Sequence, residues 1–123
     1  MRRRFFLTVL FLGLAAVSVQ AGESYLSFRF PLDGTTVAGS LRIETYLPDR
    51  FGPATTCYFL DLPDPGEIPE DWHTYVLGGS NFRPFSVLWN AEDAEEGRHT
   101  LTAVTTLDSG EVFRASITVF VQK

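Results

Sequence analysis

The sequence predicts an all-β fold: a single antiparallel β-sandwich of about seven strands, preceded by an N-terminal signal or anchor helix. Three observations carry this expectation. Beyond residue 24, apolar side chains recur at alternate positions, and no stretch holds an apolar 3.6-residue period long enough for a helix. Turn-forming residues interrupt these runs at the short spacing expected of a sandwich. The chain opens MRRRFFLTVLFLGLAAVSVQA, a basic start, an uncharged apolar run and a small-x-small ending at Val19-Gln20-Ala21.

That opening divides the chain into a signal peptide, 1–21, and a domain, 22–123. As a helix the uncharged run 5–19 would span roughly 22 Å, short of the ~30 Å hydrocarbon core, which favours a cleaved signal over an uncleaved membrane anchor. The protein is therefore expected outside the cytoplasm, periplasmic or secreted, with an anchored form as the alternative. Cleavage would remove Arg2, Arg3 and Arg4 and make a chain of formal net charge −5 three charges more negative. Such a domain is repelled by phosphate backbones, so nucleic acid is not an expected partner. Cys57 is the one cysteine, so no intrachain disulfide is expected and the core must carry the fold.

The elements follow in order. YLSFRF (25–30) alternates, with Leu26, Phe28 and Phe30 on one face. PLDGTTVAG reads as a turn segment because of its proline and Asp33-Gly34. SLRIETYL (40–47) sets Leu41, Ile43, Thr45 and Leu47 against Arg42, Glu44 and Tyr46, and PDRFGP ends it. TTCYFLDL (55–62) is apolar without alternation, as expected of a central strand covered on both faces. PDPGEIPEDWH (63–73) reads as a stiff, solvated excursion. TYVLGG and PFSVLWN are two shorter strands, and AEDAEEG (91–97) is a helical turn or acidic loop. A closing hairpin turns at Asp108-Ser109-Gly110, with His99, Leu101, Ala103, Thr105 and Leu107 on one face of its first strand. Phe113, Ala115, Ile117, Val119 and Val121 share a face of its second, leaving Phe120 outward.

FPLDGTTVAGSLRIETY, then YFLD, then FSVLWNAEDAEEGRHTLTAVTTLDSGEVFRASITVFV resembles the bacterial Ig-like domains of exported proteins. Their pattern runs P-x-x-G-x-x-V-x-G, an apolar strand ending in Asp, W-N/D-T, then G-x-H-T-L-T-A-x-A-x-D-x-x-G. The resemblance covers nearly all of 28–121 and implies an immunoglobulin-like sandwich with adhesive, spacer or accessory roles and no catalytic residues. The segment 61–84 replaces a short turn of that pattern and is an insertion peculiar to this chain.

Candidate sites divide into structural and contact residues. His99 is expected to bond backbone across a corner, as a tyrosine does in related sandwiches. Trp89 and Cys57 are expected in the core. No G-x-S-x-G elbow or metal-ligand spacing appears, so neither a catalytic residue nor a cofactor is expected. The acids Asp61, Asp64, Glu67 and Asp71 fail the EF-hand pattern; a different calcium site built from them is a weaker reading than a solvated loop. Trp72, His73 and Tyr75 in the insertion, with Phe82, Phe120 and Phe51, are candidate partner contacts; packing of the insertion on its own sheet is the alternative. The functional expectation is a non-enzymatic module docking onto another protein or surface, with no small-molecule substrate. The alternatives are an accessory subunit of a membrane complex, held on the periplasmic face by its anchor, and a carbohydrate-binding domain stacking sugars on Trp72 and Tyr75.

Overall fold

A computed structural model describes residues 25–123. The expected signal or anchor segment, 1–21, lies outside the described residues. The described chain forms eight strands: β1 (Ser27–Phe30), β2 (Thr35–Val37), β3 (Ser40–Tyr46), β4 (Ala54–Leu60), β5 (Val76–Ser80), β6 (Val87–Asn90), β7 (Gly97–Leu107) and β8 (Val112–Val121). They build a three-stranded sheet, β1-β3-β6, and a five-stranded sheet, β2-β8-β7-β4-β5. Among the described residues the helical content is three single 3-10 turns, at Asp49–Phe51, Trp72–Thr74 and Ala91–Asp93. The all-β sandwich expected from alternation is thus what the chain forms.

The hairpin β7–β8 is the spine of the larger sheet, paired from Gly97↔Val121 to Thr106↔Val112. Its turn closes by Gly110 N–H donating to Leu107 O at 2.8 Å, and Gly110 sits at φ 96, where a Cβ would be strained. Leu101, Ala103, Leu107, Val119 and Val121 are buried against Ile43, Leu47 and Trp89 of the facing sheet. Each of the leucine, isoleucine and valine side chains contributes about 1.5–3 kcal/mol on leaving water.

Three particulars differ from the sequence expectation. PLDGTTVAG holds a strand, β2, as well as a turn: the chain crosses between sheets at Pro31–Gly34 and pairs parallel with β8, so the sandwich is not wholly antiparallel. The crossing is pinned where Gly34 N–H donates to Thr118 O at 2.7 Å and Asp33 Oδ1 accepts from Thr118 N–H at 2.8 Å. A bulge between Phe28 and Phe30 shifts the β1–β3 register, so Phe30 faces out opposite Glu44 instead of joining Leu26 and Phe28. The segment 61–84 is not all excursion: Val76–Ser80 is the edge strand β5, antiparallel to β4.

That edge strand explains the non-alternating β4. Ala54, Thr56 and Tyr58 face the main core, while Phe59 on the other face packs with Leu62 and Val104. Cys57, Tyr75 and Val76 flank this second, smaller core, so part of the insertion does fold back onto its own sheet.

Polar groups inside the main core are paired. Tyr58 is fully buried; its hydroxyl donates to Phe85 O at 2.6 Å and lies 2.9 Å from Thr45 Oγ1. Burial pushes the phenol up to about 12, so it stays a neutral donor. The Thr56 and Thr105 hydroxyls meet at 2.6 Å across β4 and β7.

Candidate interaction surface

His99 sits at the start of β7, at the corner where the end of β4 meets the 91–96 turn. Its Nδ1 lies 2.6 Å from Asp61 Oδ2 and its Nε2 lies 2.6 Å from Glu95 O. Both facing atoms are acceptors, so the ring satisfies them only with a proton on each nitrogen. Burial opposes that charge; the Asp61 carboxylate and the Glu95 carbonyl outweigh it, and the net effect raises the imidazole above its ordinary value. The same Asp61 accepts from Thr100 N–H at 2.8 Å and donates its own N–H to Thr100 O at 2.8 Å. Asp61 holds φ 58 to do so. The corner therefore ties three segments together through His99, the Glu95 carbonyl and the Asp61–Thr100 backbone pair, with a carboxylate that spacing did not disclose.

The acids of the insertion do not converge. Asp61 is occupied at the corner, and Asp64 accepts from Gly66 N–H within its own turn. Among the described residues, no three histidine, cysteine or acidic side chains are grouped to hold a metal ion. Trp89 lies in the main core, 5% exposed. Cys57 is half-buried on the outer face of β4, where burial pushes its thiol up and away from the reactive thiolate.

The expected contact residues are scattered. Trp72 and His73 stack, centroids 3.6 Å apart, on the 3-10 turn before β5. Tyr75 turns into the second core. Phe82 is 78% exposed in the β5–β6 loop, beyond the level of the Ser80–Thr56–Thr105–Phe113 row. Phe120 is exposed on β8 opposite Arg98, seven residues along that strand from Phe113, or ~23 Å at the rise of a β-strand. Phe51 packs with Tyr25 and Phe113 at the base of the sandwich. These residues do not form one patch.

A different surface emerges on the outer face of the three-stranded sheet. Phe30, Tyr46 and Leu88, at 55%, 47% and 75% exposure, lie on β1, β3 and β6 around Glu44. Glu44 is 9% exposed; it accepts from Ser86 Oγ at 2.9 Å and faces Arg29 and Arg42 at 3.8 and 3.9 Å. One carboxylate thus lies between two guanidiniums in the plane of the sheet, beside the exposed apolar side chains. Tyr46 and Leu88 were findable from alternation with Thr45 and Trp89. Phe30 was not, because the bulge is invisible in the residue pattern.

No protein-family model matches the chain, and no curated protein matches it. Solved structures do. The fold is similar to the fibronectin(III)-like modules of CbhA from Clostridium thermocellum, at TM-score 0.59 and 15% identity over 79% of this chain and 45% of that one. It is also similar to part of an endo-beta-1,4-mannanase from Thermotoga petrophila, at TM-score 0.59 and 11% identity over 81% of this chain and 20% of that one. A PmoD soluble domain from Methylocystis sp. ATCC 49242 (Rockwell) matches at TM-score 0.49 and 17% identity, covering 73% of this chain and 78% of that one. The chain spans less than half the length of the first two structures. At such identities the likeness shows the fold alone: an immunoglobulin- or fibronectin(III)-like β-sandwich.

Proposed function

We propose that this domain is an exported, non-enzymatic interaction module that docks onto another protein through the outer face of its three-stranded sheet. The observation that carries the reading is the uncovered group Phe30, Tyr46 and Leu88 on a face whose central carboxylate, Glu44, is already partnered. Large apolar side chains gathered on one sheet face mark contact surfaces, and aromatic residues dominate binding energy there. The functional groups of the corner, Asp61 and His99, are spent on one another and on backbone, which fits a scaffold role. Tyr75 contributes to the second core instead of standing beside Trp72, which weakens the sugar-stacking alternative.

The test is capture from the native source using the full chain, followed by the Phe30→Ser, Leu88→Ser double variant. The reading expects a captured protein to be lost with the double variant while Trp72→Ala retains it. Retention by the double variant removes this face from the site. Loss on Trp72→Ala alone moves the contact to the insertion.

A further inference from the structure

The two sheet edges on one side of the sandwich, β5 and β6, are both unpartnered among the described residues. They approach closely where a Cβ on Gly78 would meet the Val87 side chain at 3.4 Å. Beside that point lies a cavity of about 460 Å3, whose lining includes Leu60, Leu77, Leu88, Trp89, Asp93 and Ala94. The edges on the opposite side are guarded: β1 carries the bulge, Arg29 and a following proline, and β2 is three residues long. β6 reads Val-Leu-Trp-Asn, with neither charge nor proline to discourage pairing.

The register shows which backbone groups of β6 are available. Ala91 N–H donates to Gly39 O at 2.8 Å, which continues the ladder Ser40↔Asn90 and Leu41↔Trp89. Antiparallel partners alternate between bonded and unbonded pairs, so Val87 and Trp89 point their N–H and C=O at β3. Leu88 and Asn90 point theirs outward. β5 offers the poorer template, because Gly78 and Gly79 give an added strand no cross-strand side chains to meet.

We infer that β6 receives an extended peptide segment of a partner protein as an added fourth strand, with apolar side chains at alternate positions and a lysine or arginine at one end. This rests on the reading of the domain as an interaction module, and it names the partner's chemistry. Inward side chains of the added strand fill the cavity against Leu60, Leu77 and Ala94. Its outward side chains give the exposed Leu88 a cross-strand neighbour. Its basic end meets Asp93, with Glu92 beside it on the turn that follows β6. Charge selects this occupant over a second copy: two chains of formal net charge −5 repel.

The probe is a blocked synthetic heptapeptide, Lys-Thr-Val-Thr-Leu-Thr-Lys, titrated into the 15N-labelled full chain. Saturable shifts and slowed exchange at the Leu88 and Asn90 amides are the expected result. A peptide with both lysines replaced by glutamate should bind at least ~10-fold more weakly. Leu88→Pro removes an outward N–H that β3 does not use, so the fold should persist and affinity should fall by at least ~10-fold. Should that variant misfold, Asp93→Lys provides the second arm: it should invert the preference between the two peptides. Absence of saturable shifts on β6 overturns the inference, as does equal binding of both peptides. Shifts confined to Phe30 and Tyr46 would sink strand addition while leaving the docking face intact. A dimer joined through β6 would assign the edge to a second copy and equally overturn it.

Discussion

Tyr58→Phe removes one oxygen from the middle of the sandwich and strands two groups. Phe85 O loses its 2.6 Å donor and the Thr45 hydroxyl loses its 2.9 Å partner, in a core where Tyr58 and Phe85 are at most 1% exposed. A buried polar group left unpaired costs about 1–3 kcal/mol, so the pair costs roughly 3 kcal/mol in all. In a domain of this size each kcal/mol moves the thermal midpoint by roughly 4–8 °C, which makes the fall about 12 °C or more. Urea unfolding of the full chain and its Tyr58→Phe variant, followed by tryptophan fluorescence, gives the free-energy difference directly. Thr45→Val tests the assignment. Added to Tyr58→Phe it should be neutral or stabilising, since it removes the stranded hydroxyl; alone it should destabilise, giving a coupling of about 1 kcal/mol. A Tyr58→Phe cost under about 0.5 kcal/mol would refute the pairing of this hydroxyl with Phe85 O and Thr45.

Stability should also depend on His99. Its folded value is raised, so its contribution is fully present below the ordinary histidine value and is lost as pH rises through the folded one. Thermal midpoints from pH 5 to 9 should show that fall, and Asp61→Asn should flatten it. Trp89→Ala should cost about 3–5 kcal/mol, read by urea unfolding with circular dichroism, because the ring is buried between the sheets. Phe30→Ser should shift stability by no more than about 0.5 kcal/mol, since its ring stands in solvent; a large loss would mean that the ring is covered.

Alternation made the long hairpin readable because its two faces are sharply unlike. Leu101, Ala103 and Val119 are fully buried, while Arg114, Ser116 and Phe120 are exposed. Short elements escaped for physical reasons. Three residues, Thr35–Val37, are too few to show a period, and a parallel partner some eighty residues away leaves no local trace. A bulge at β1 reverses the face of Phe30 without altering any residue type. The corner was half legible: Gly97 and His99 marked the turn, but Asp61, thirty-eight residues earlier, joins it only through the β4–β7 pairing. On the outer face of the smaller sheet, alternation with Thr45 and Trp89 was enough to place Tyr46 and Leu88, and only Phe30 was hidden.

The order of the strands along the chain sets when the domain is able to close. β7 and β8 occupy the middle of the five-stranded sheet, yet they are the last two strands to leave the ribosome. Until residues 97–121 emerge, β2 has no neighbour, β4 lacks one of its two, and the small sheet lacks the cover that Leu101, Ala103 and Val119 provide. A nascent chain halted before that point cannot complete the main core, whatever its earlier segments have already made.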